Sequence, residues 1–307
     1  MTNAHAYDPT LFTGLSAFPL TPLTGETLDE DAFVGLIDRL VLAGVDSITA
    51  LGSTGSYAYL DTDERARVAQ LTVESALDIP VLLGVGALRT RDVLANVASA
   101  EAAGAQGLLL APVSYQPLTD DEVFGLFRTV TESTDLPVVV YDNPGTTHFT
   151  FTTELYSRVA ALEGVASIKI PGSPASPGGW DERIGEIRAA IGSQVTIGIS
   201  GDAHGAEGLI AGCDAWYTAV GGTIPEPLLE ITRAAELGNA QLARELSAEL
   251  QPLWDLFTEF GGSLRVSAAI AEHLGLVGPA SLPLPVRDLD EAAKRKVAEV
   301  AEGLDLA

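Results

Sequence analysis

Residues 80–111 read PVLLGVGALRTRDVLANVASAEAAGAQGLLLA. Within this stretch an apolar run, an amphipathic segment and a second apolar run follow one another: Val81–Val85, Val93–Ala103 and Gly107–Ala111. The apolar runs predict buried strands and the amphipathic segment predicts a helix, which Thr90 is expected to cap. Gly104 follows this helix, where glycine readily adopts the left-handed conformation that ends a helix. Two strands joined by a helix predict a βα unit of a parallel sheet.

The same alternation continues from about residue 12 to residue 237. Eight runs have strand character: Thr13–Phe18, Ser47–Leu51, Val81–Val85, Gly107–Ala111, Val138–Tyr141, Ala166–Ile170, Val195–Ile199 and Ala215–Val220. Further helices are predicted behind caps, with Asp29 before Phe33–Leu42, Asp61 before Glu64–Leu77 and Thr119 before Glu122–Thr131. Eight strands in about 230 residues match a closed (β/α)8 TIM barrel. We therefore predict an α/β protein with such a barrel over residues 10–238.

An open, doubly wound sheet is the alternative fold. The dinucleotide-binding form of that fold has three glycines in the turn after its first strand. Gly84-Val85-Gly86 lacks the third glycine and has Arg89 in its place. Beyond Gly238 only helical patterns remain, namely Ala240–Phe260, Ser263–Leu274 and Leu289–Glu302. Residues 239–307 are therefore predicted to form a helical C-terminal appendage that packs on the barrel.

The composition limits the possible partners. Among 307 residues, 17 are basic and 42 are acidic, so the formal charge is −25. Nucleic acid and anionic membranes are therefore not expected partners, because both require a basic surface. Met1–Pro9 has no signal-peptide pattern, and no apolar stretch reaches the ~18 residues of a membrane span. Together with a single cysteine, Cys213, these features make the cytoplasm the expected location.

One of three lysines lies in an apolar strand. Lys169 belongs to Val165–Ile170, whereas Lys294 and Lys296 lie in a polar stretch and are expected to be solvated. A buried amine loses its proton more easily, and a neutral amine is the nucleophile that forms Schiff bases with carbonyl compounds. The alternative is a lysine that reaches solvent from the strand end or pairs with a carboxylate.

Polar side chains follow two further predicted strands. The second strand leads into Gly52-Ser53-Thr54-Gly55-Ser56, and the fifth ends at Tyr141. Barrel active sites lie at the C-terminal ends of the strands, so these groups are expected to face one cavity with Lys169. A tyrosine beside a Schiff-base lysine can transfer protons if another hydroxyl holds it, and Ser53 or Thr54 is expected to do so.

The motifs resemble those of the class I, pyruvate-dependent aldolases of the dihydrodipicolinate synthase and N-acetylneuraminate lyase superfamily, over nearly the whole chain. They are Phe18-Pro19-Leu20-Thr21-Pro22, Gly52-Ser53-Thr54-Gly55, Tyr141-Asp142-Asn143-Pro144, Ile168-Lys169 and Ser200-Gly201-Asp202. The resemblance implies a metal-independent lyase that has a TIM barrel, needs no cofactor and forms a homodimer or homotetramer. Its substrates would be small molecules, namely pyruvate or another 2-oxo acid and an aldehyde.

The resemblance also implies individual roles. Lys169 forms the imine and Tyr141 transfers protons. Ser53 and Thr54 support the tyrosine, and with Gly55 they hold the substrate carboxylate. The backbone of Tyr217 lies beside bound pyruvate.

Several positions differ from the synthase pattern. Ser56 replaces a glutamate, Thr146 replaces the arginine that grips the carboxylate of aspartate semialdehyde, and Ile170 replaces an acidic residue after Lys169. Ser114 stands where the synthase has a tyrosine that enters a neighbouring subunit, with Tyr115 one place later. Ser114 and Thr146 are thus candidates for binding a different aldehyde, which is expected to be neutral and either hydroxylated or derived from a sugar acid. Aspartate semialdehyde is expected to react poorly unless another arginine, such as Arg89 or Arg91, reaches the pocket.

The sequence also bears on two other kinds of site, a metal site and a phosphate site. A metal-dependent aldolase needs clustered ligands, but the histidines are scattered: His5, His148, His204 and His273. Asp202 is more readily explained as a helix cap than as a ligand. Barrels that bind phosphate hold it in the loops after strands seven and eight. Four glycines lie there, so a phosphorylated aldehyde is a further alternative substrate: Gly201, Gly205, Gly221 and Gly222.

The sequence therefore predicts a Schiff-base aldolase. The alternatives are a 2-keto-3-deoxy sugar-acid aldolase or dehydratase, an enzyme like N-acetylneuraminate lyase, and a non-catalytic 2-oxo acid sensor.

Overall fold

A computed structural model describes residues 8–172 and 179–306. Eight parallel strands form a closed barrel: β1 (Gly14–Ala17), β4 (Ser47–Ala50), β5 (Val81–Gly84), β6 (Gly107–Leu110), β7 (Val138–Tyr141), β8 (Val165–Ile170), β9 (Thr196–Ile199) and β10 (Ala215–Thr218). Each strand pairs with its neighbours along the chain, and β1 closes the barrel by pairing with both β4 and β10. The predicted (β/α)8 TIM barrel is therefore confirmed and the open sheet is excluded.

Thirteen α-helices lie within the described residues: α1 (Glu30–Ala43), α2 (Thr62–Ser75), α3 (Thr90–Ala103), α4 (Asp120–Thr131), α5 (Pro144–Thr147), α6 (Thr153–Ala160), α7 (Gly179–Ile191), α8 (Gly205–Ile210), α9 (Pro225–Glu236), α10 (Ala240–Glu249), α11 (Gln251–Glu259), α12 (Ser263–His273) and α13 (Glu291–Gly303). Short 3₁₀ helices cover Pro9–Phe12, Tyr57–Tyr59, Asp202–His204 and Val220–Gly222. A two-stranded hairpin, β2 (Leu23–Thr24) and β3 (Thr27–Leu28), lies between β1 and α1.

The local predictions differ from the structure in three places. Arg89 occupies the N-cap of α3, and Thr90 is its first helical residue. The segment predicted as one helix over Ala240–Phe260 is divided at Leu250, because Pro252 near the start of α11 cannot donate the hydrogen bond that would continue α10. The hairpin of β2 and β3 was not predicted. Caps at Asp29, Asp61 and Thr119 are confirmed.

Alternate residues of the strands face two separate cores. Those pointing outward pack against the helices and form the larger core. Those pointing inward fill the barrel and include Phe18, Leu82, Tyr141 and Tyr217. Lys169 shares the inward direction with Tyr141, because the two residues are paired in register across β7 and β8. Strand alternation thus decides which side chains reach the active-site end of the barrel.

The C-terminal helices pack against the barrel and against each other. A third apolar cluster joins Leu36 of α1 to Ala268 and Ala271 of α12. Lys296 of α13 pairs with Glu259 at 2.5 Å. Lys294 pairs with Glu272 at 2.5 Å and is only 17% exposed, so the expectation of a freely solvated charge was wrong for this residue. The division of the chain at residues 238 and 239 stays a prediction. No helix in the described ranges is long and apolar enough to cross a membrane.

Candidate active site

Lys169 is a buried amine at the end of β8, inside the barrel. Its side chain is 5% exposed, and burial lowers the pKa of the amine from its usual 10.5 to about 7. The negative charges of Asp202 and Asp142 act in the opposite direction, but burial has the larger effect. A substantial fraction of Lys169 is therefore neutral near pH 7, as a nucleophilic amine must be.

Tyr141 stands directly beside this amine. The Lys169 Nζ lies 4.6 Å from the centre of the Tyr141 ring and 5.5 Å from that of Phe18. The Tyr141 hydroxyl shares a 2.8 Å hydrogen bond with the Ser53 hydroxyl and accepts another, also 2.8 Å long, from Asn143 Nδ2. Because Asn143 donates to the phenol oxygen, the phenol proton is available to Ser53 or to a ligand.

The turn between β4 and α2 places Ser53. Leu51 and Ser56, on either side of this turn, adopt left-handed backbone conformations with φ of 58° and 53°. Such conformations cost a non-glycine residue free energy, and they cluster at functional sites. The carbonyl of Leu51 also passes so close to Gly84 that a Cβ there would lie 1.9 Å from the carbonyl oxygen. A glycine on the neighbouring strand thus permits the bend that turns Ser53 toward the barrel.

Thr54 and Gly55 lie beside Ser53. Thr54 is buried and, like Ser53, lines the cavity that opens above Lys169. The hydrogen bond to Tyr141 is made by Ser53. Gly55 is packed against the backbone of Pro19, whose carbonyl oxygen would lie 3.3 Å from a Cβ at this position. The structure thus decides which of the two predicted hydroxyls holds the tyrosine.

Tyr217 projects into the barrel from β10. Its hydroxyl shares a 2.8 Å hydrogen bond with the Ser167 hydroxyl, and burial raises the pKa of the phenol well above its usual value. Its ring lies over Gly198, where a Cβ would come within 2.1 Å of the ring. Gly198 is also the β9 partner of Lys169, so the Tyr217 ring packs over the residue that is paired with the lysine.

A cavity of about 500 Å³ opens above Lys169. All four predicted catalytic residues line it, namely Lys169, Tyr141, Ser53 and Thr54, together with Asn143 and Tyr217. Residues of the C-terminal helices form the opposite wall: Trp254, Phe257, Thr258 and Ser263. No site residue was predicted in these helices, because their pattern shows only which side faces a core. We call this space the inner cavity.

A second cavity, of about 510 Å³, adjoins the first, and we call it the outer cavity. Both are lined by Ser53, Thr54, Asn143, Gly262 and Ser263. Thr146 lines the outer cavity, close enough to Tyr141 to help lower the pKa of the phenol, which burial raises. Arg265 of α12 lines the outer cavity as well.

Four candidate binding residues line neither cavity: Gly55, Arg89, Arg91 and Ser114. Arg89 and Arg91 are exposed, and Arg91 pairs with the neighbouring Asp92. The Ser114 hydroxyl donates a hydrogen bond to the carbonyl of Gln116, and its role in substrate binding stays a prediction.

A cleft of about 620 Å³ elsewhere includes Pro137 and Gly164. This cleft lies at the N-terminal ends of β7 and β8, the end of a barrel that is not used for catalysis.

Two buried acids complete the surroundings of the amine. Asp202 accepts hydrogen bonds from the backbone N–H groups of Ala219 and Val220, so it caps the turn Val220–Gly222 as a helix cap would. Burial raises the pKa of Asp142 to about 6, although the Tyr156 hydroxyl donates a hydrogen bond to it. Within residues 8–172 and 179–306, no three His, Cys, Asp or Glu side chains form a group able to hold a metal ion. His5 lies outside these ranges.

Comparison with known proteins agrees with this arrangement. The model of the dihydrodipicolinate synthetase family matches residues 11–303. A 4-hydroxy-tetrahydrodipicolinate synthase of Hyphomonas neptunium is 30% identical over 290 residues, which are 94% of this chain and 96% of that protein. The corresponding enzyme of Methylococcus capsulatus is 31% identical over 81% of this chain and 84% of its own length.

Solved structures give the same result. A dihydrodipicolinate synthase of Agrobacterium tumefaciens C58 is 42% identical, with a TM-score of 0.92 over 96% of this chain and 99% of that one. A prophage protein of E. coli K12 from the same family, solved in complex with pyruvate, is 25% identical with a TM-score of 0.89, over 97% of this chain and 100% of its own. The chain thus belongs to the dihydrodipicolinate synthetase family.

Proposed function

We propose that this protein is a metal-independent lyase that forms a Schiff base between Lys169 and a 2-oxo acid such as pyruvate, and then makes or cleaves a carbon–carbon bond to an aldehyde. The observation that carries the proposal is the setting of Lys169. Its amine is buried, has a pKa of about 7 and lies at the base of a cavity beside the hydrogen-bonded Tyr141 hydroxyl. A strand-end lysine with a merely structural role would be expected to reach solvent or an ion-pair partner.

The reaction begins with the neutral amine. Lys169 Nζ attacks the C2 carbonyl of the 2-oxo acid, and the resulting carbinolamine loses water to give the imine. Loss of a proton from C3 converts the imine into an enamine, whose C3 then attacks the aldehyde carbon. Hydrolysis of the new imine releases a 4-hydroxy-2-oxo acid and restores the amine. Cleavage is the reverse sequence.

Tyr141 is positioned to move the protons in these steps. Its phenol receives a hydrogen bond from Asn143 and exchanges one with Ser53, so it can donate a proton to the departing water and recover one afterwards. The hydrogen bond from Ser53 holds this hydroxyl in place. Thr54, Gly55 and the backbone near Tyr217 are proposed to receive the carboxylate of the 2-oxo acid.

Two alternatives remain to be distinguished by activity. A sugar-acid aldolase or dehydratase, or an enzyme like N-acetylneuraminate lyase, would use the same imine with a different second half of the substrate. The hydroxyl-rich lining of the outer cavity supports a hydroxylated substrate: Ser53, Thr54, Ser56, Thr146 and Ser263. A non-catalytic 2-oxo acid sensor would form the imine without turnover.

Reduction with borohydride tests the imine directly. Incubation with pyruvate and borohydride should leave an adduct on Lys169, identified by peptide mapping, and Lys169→Ala should remain unmodified. A screen of aldehydes for consumption of pyruvate, and of 4-hydroxy-2-oxo acids for its release, separates an enzyme from a sensor. Wild-type turnover by Lys169→Ala would refute the mechanism.

We also propose a homodimer or homotetramer located in the cytoplasm. Three exposed apolar side chains follow consecutive barrel strands: Tyr59 (51% exposed), Leu88 (67%) and Tyr115 (90%). Large apolar side chains exposed on one side of a barrel are typical of a surface that associates with another subunit. The cytoplasmic location rests on the single cysteine, Cys213, which cannot form a disulfide within the chain.

A further inference from the structure

Arg265 is a cation beside the proposed active site, and no role was predicted for it from the sequence. It lies in the first turn of α12, and its Nε donates a 2.8 Å hydrogen bond to the carbonyl of Arg287. Neither Nη has a hydrogen-bond or ion-pair partner in the part of the chain that the structure describes. The guanidinium is thus held by one edge, and its other two nitrogens remain for a ligand in the outer cavity.

We propose that Arg265 binds a carboxylate at the far end of the substrate, opposite the carbonyl that reacts with Lys169. This inference rests on the proposed Schiff-base function. The inner and outer cavities share Ser53, Thr54 and Asn143 on one side and Gly262 and Ser263 on the other. The proposed substrate is one extended molecule that crosses this shared lining, with its carbonyl at Lys169 and its opposite end at Arg265.

The chemistry of the lining favours an anion at that end. A carboxylate accepts two parallel hydrogen bonds from a guanidinium, which gives both charge complement and fixed orientation. None of the residues that line the outer cavity is acidic, so no protein carboxylate there competes for Arg265. The substrate class is therefore a 2-oxo acid with a second, distal carboxylate, and the surrounding hydroxyls suit substrate hydroxyl groups between the two ends.

Arg265 alters the charge of the pocket that Thr146 alone would predict. That residue replaces an arginine of the synthase pattern, so the sequence predicted a neutral far end for the aldehyde. Arg265 supplies a cation from a different element, α12 instead of the segment after β7. Aspartate semialdehyde remains a poor candidate for another reason. Its ammonium group would have no carboxylate partner in the outer cavity.

Imine trapping tests the proposal without knowledge of the natural aldehyde. The probes are 2-oxoglutarate, 2-oxoadipate and 2-oxopimelate, each compared with the 2-oxo monoacid of equal chain length. The half-saturating concentration for borohydride trapping on Lys169 is measured for each. The wild-type protein should trap at least one dicarboxylate at a lower concentration than its matched monoacid.

Two variants then assign the effect. Arg265→Met should raise the half-saturating concentration of that dicarboxylate roughly 10- to 150-fold and leave those of its monoacid and of pyruvate unchanged. Arg287→Met is the control, because Arg287 is exposed and lines neither cavity. It should change none of these half-saturating concentrations. Two results would overturn the role of Arg265 but leave the Schiff-base function intact. In one, the wild-type protein traps pyruvate but prefers no dicarboxylate to its matched monoacid. In the other, Arg265→Met weakens trapping of dicarboxylates and monoacids equally. Absence of a pyruvate adduct in the wild-type protein would overturn the proposed function and, with it, this inference.

Discussion

The Nζ of Lys169 lies 4.6 Å from the centre of the Tyr141 ring, and the two residues are paired in register across β7 and β8. The pairing places the amine and the phenol ring side by side inside the barrel. Burial there lowers the pKa of the amine. The same geometry therefore supports both proposed roles, that of Lys169 as nucleophile and that of Tyr141 as acid–base group.

Replacement of Lys169 by Met should abolish the imine and stabilise the fold. Turnover should fall by several orders of magnitude, because Met has no nucleophilic nitrogen. The melting temperature at pH 7 should rise by a few degrees, since Met fills a similar volume without the cost of a buried amine. Calorimetry and a turnover assay measure the two effects. An unchanged or lower melting temperature would contradict the assigned cost of burial.

Imine formation should depend on pH through Lys169. Only the neutral amine attacks, so the trapping rate at low pyruvate should rise about tenfold per pH unit below about 7 and level off above it. In Asp142→Asn the midpoint should move to lower pH, because a negative charge that favours the ammonium form is removed. Trapping rates at a series of pH values test this. A midpoint near 10 in the wild-type protein would refute the depressed pKa.

The same pKa predicts a pH dependence of stability. Lys169 has a folded pKa of about 7 and an unfolded value near 10.5, so the unfolded chain binds the extra proton between these values. The contribution of Lys169 to the free energy of unfolding should therefore increase as pH rises from about 7 to about 10. Denaturant titrations of wild-type protein and Lys169→Met isolate this effect. Their difference in stability should shrink as pH rises, and a constant difference would argue against the linkage.

Tyr141→Phe should separate binding from catalysis. The variant retains the ring but loses the hydroxyl, so turnover should fall by roughly 10²–10⁴ while the equilibrium amount of trapped pyruvate imine is retained. Ser53→Ala should also reduce turnover, but by less than Tyr141→Phe does. Its loss of turnover should be larger than that of Thr54→Val, because Ser53 makes the observed hydrogen bond to Tyr141. Tyr217→Phe is a control that removes a barrel hydroxyl bonded to Ser167. Equal rates in Tyr141→Phe and the wild-type protein would leave the tyrosine with a structural role only.

Gly198→Ala should disturb the layer that contains Lys169. A methyl group there would lie 2.1 Å from the Tyr217 ring, and the ring is fully enclosed. The variant should lose about 1–3 kcal/mol of stability, which is typical of overpacking, and should trap pyruvate more slowly. Gly35→Ala is a matched control, since nothing lies within 4 Å of a Cβ at that helical position. Wild-type stability and trapping in Gly198→Ala would show that the layer adjusts freely.

Many features of the site follow from local sequence patterns. The eight strands were predicted because each is a short apolar run between amphipathic segments, and this pattern depends only on near neighbours. Lys169 was found because a charge in such a run conflicts with its surroundings. Tyr141 and Ser53 were found because strand ends of a barrel meet at one face.

Other features depended on tertiary structure. The sequence could not decide between Ser53 and Thr54, because that choice depends on the left-handed backbone at Leu51 and on its close approach to Gly84. Lys294 was expected to be solvated because it lies in a polar stretch of sequence. Its ion-pair partner, Glu272, is 22 residues away in sequence and is brought to it only by the fold.

By itself, the sequence determined the barrel and the burial of Lys169 near the end of one strand, since periodicity and burial conflicts are short-range properties of the chain. Only the tertiary structure decided what faces this lysine across the cavity. Trp254 and Arg265 come from helices about a hundred residues away in sequence, and their positions depend on how the C-terminal region packs over the barrel. Helical periodicity shows which side of a helix is buried, but it does not show which part of the barrel that side covers.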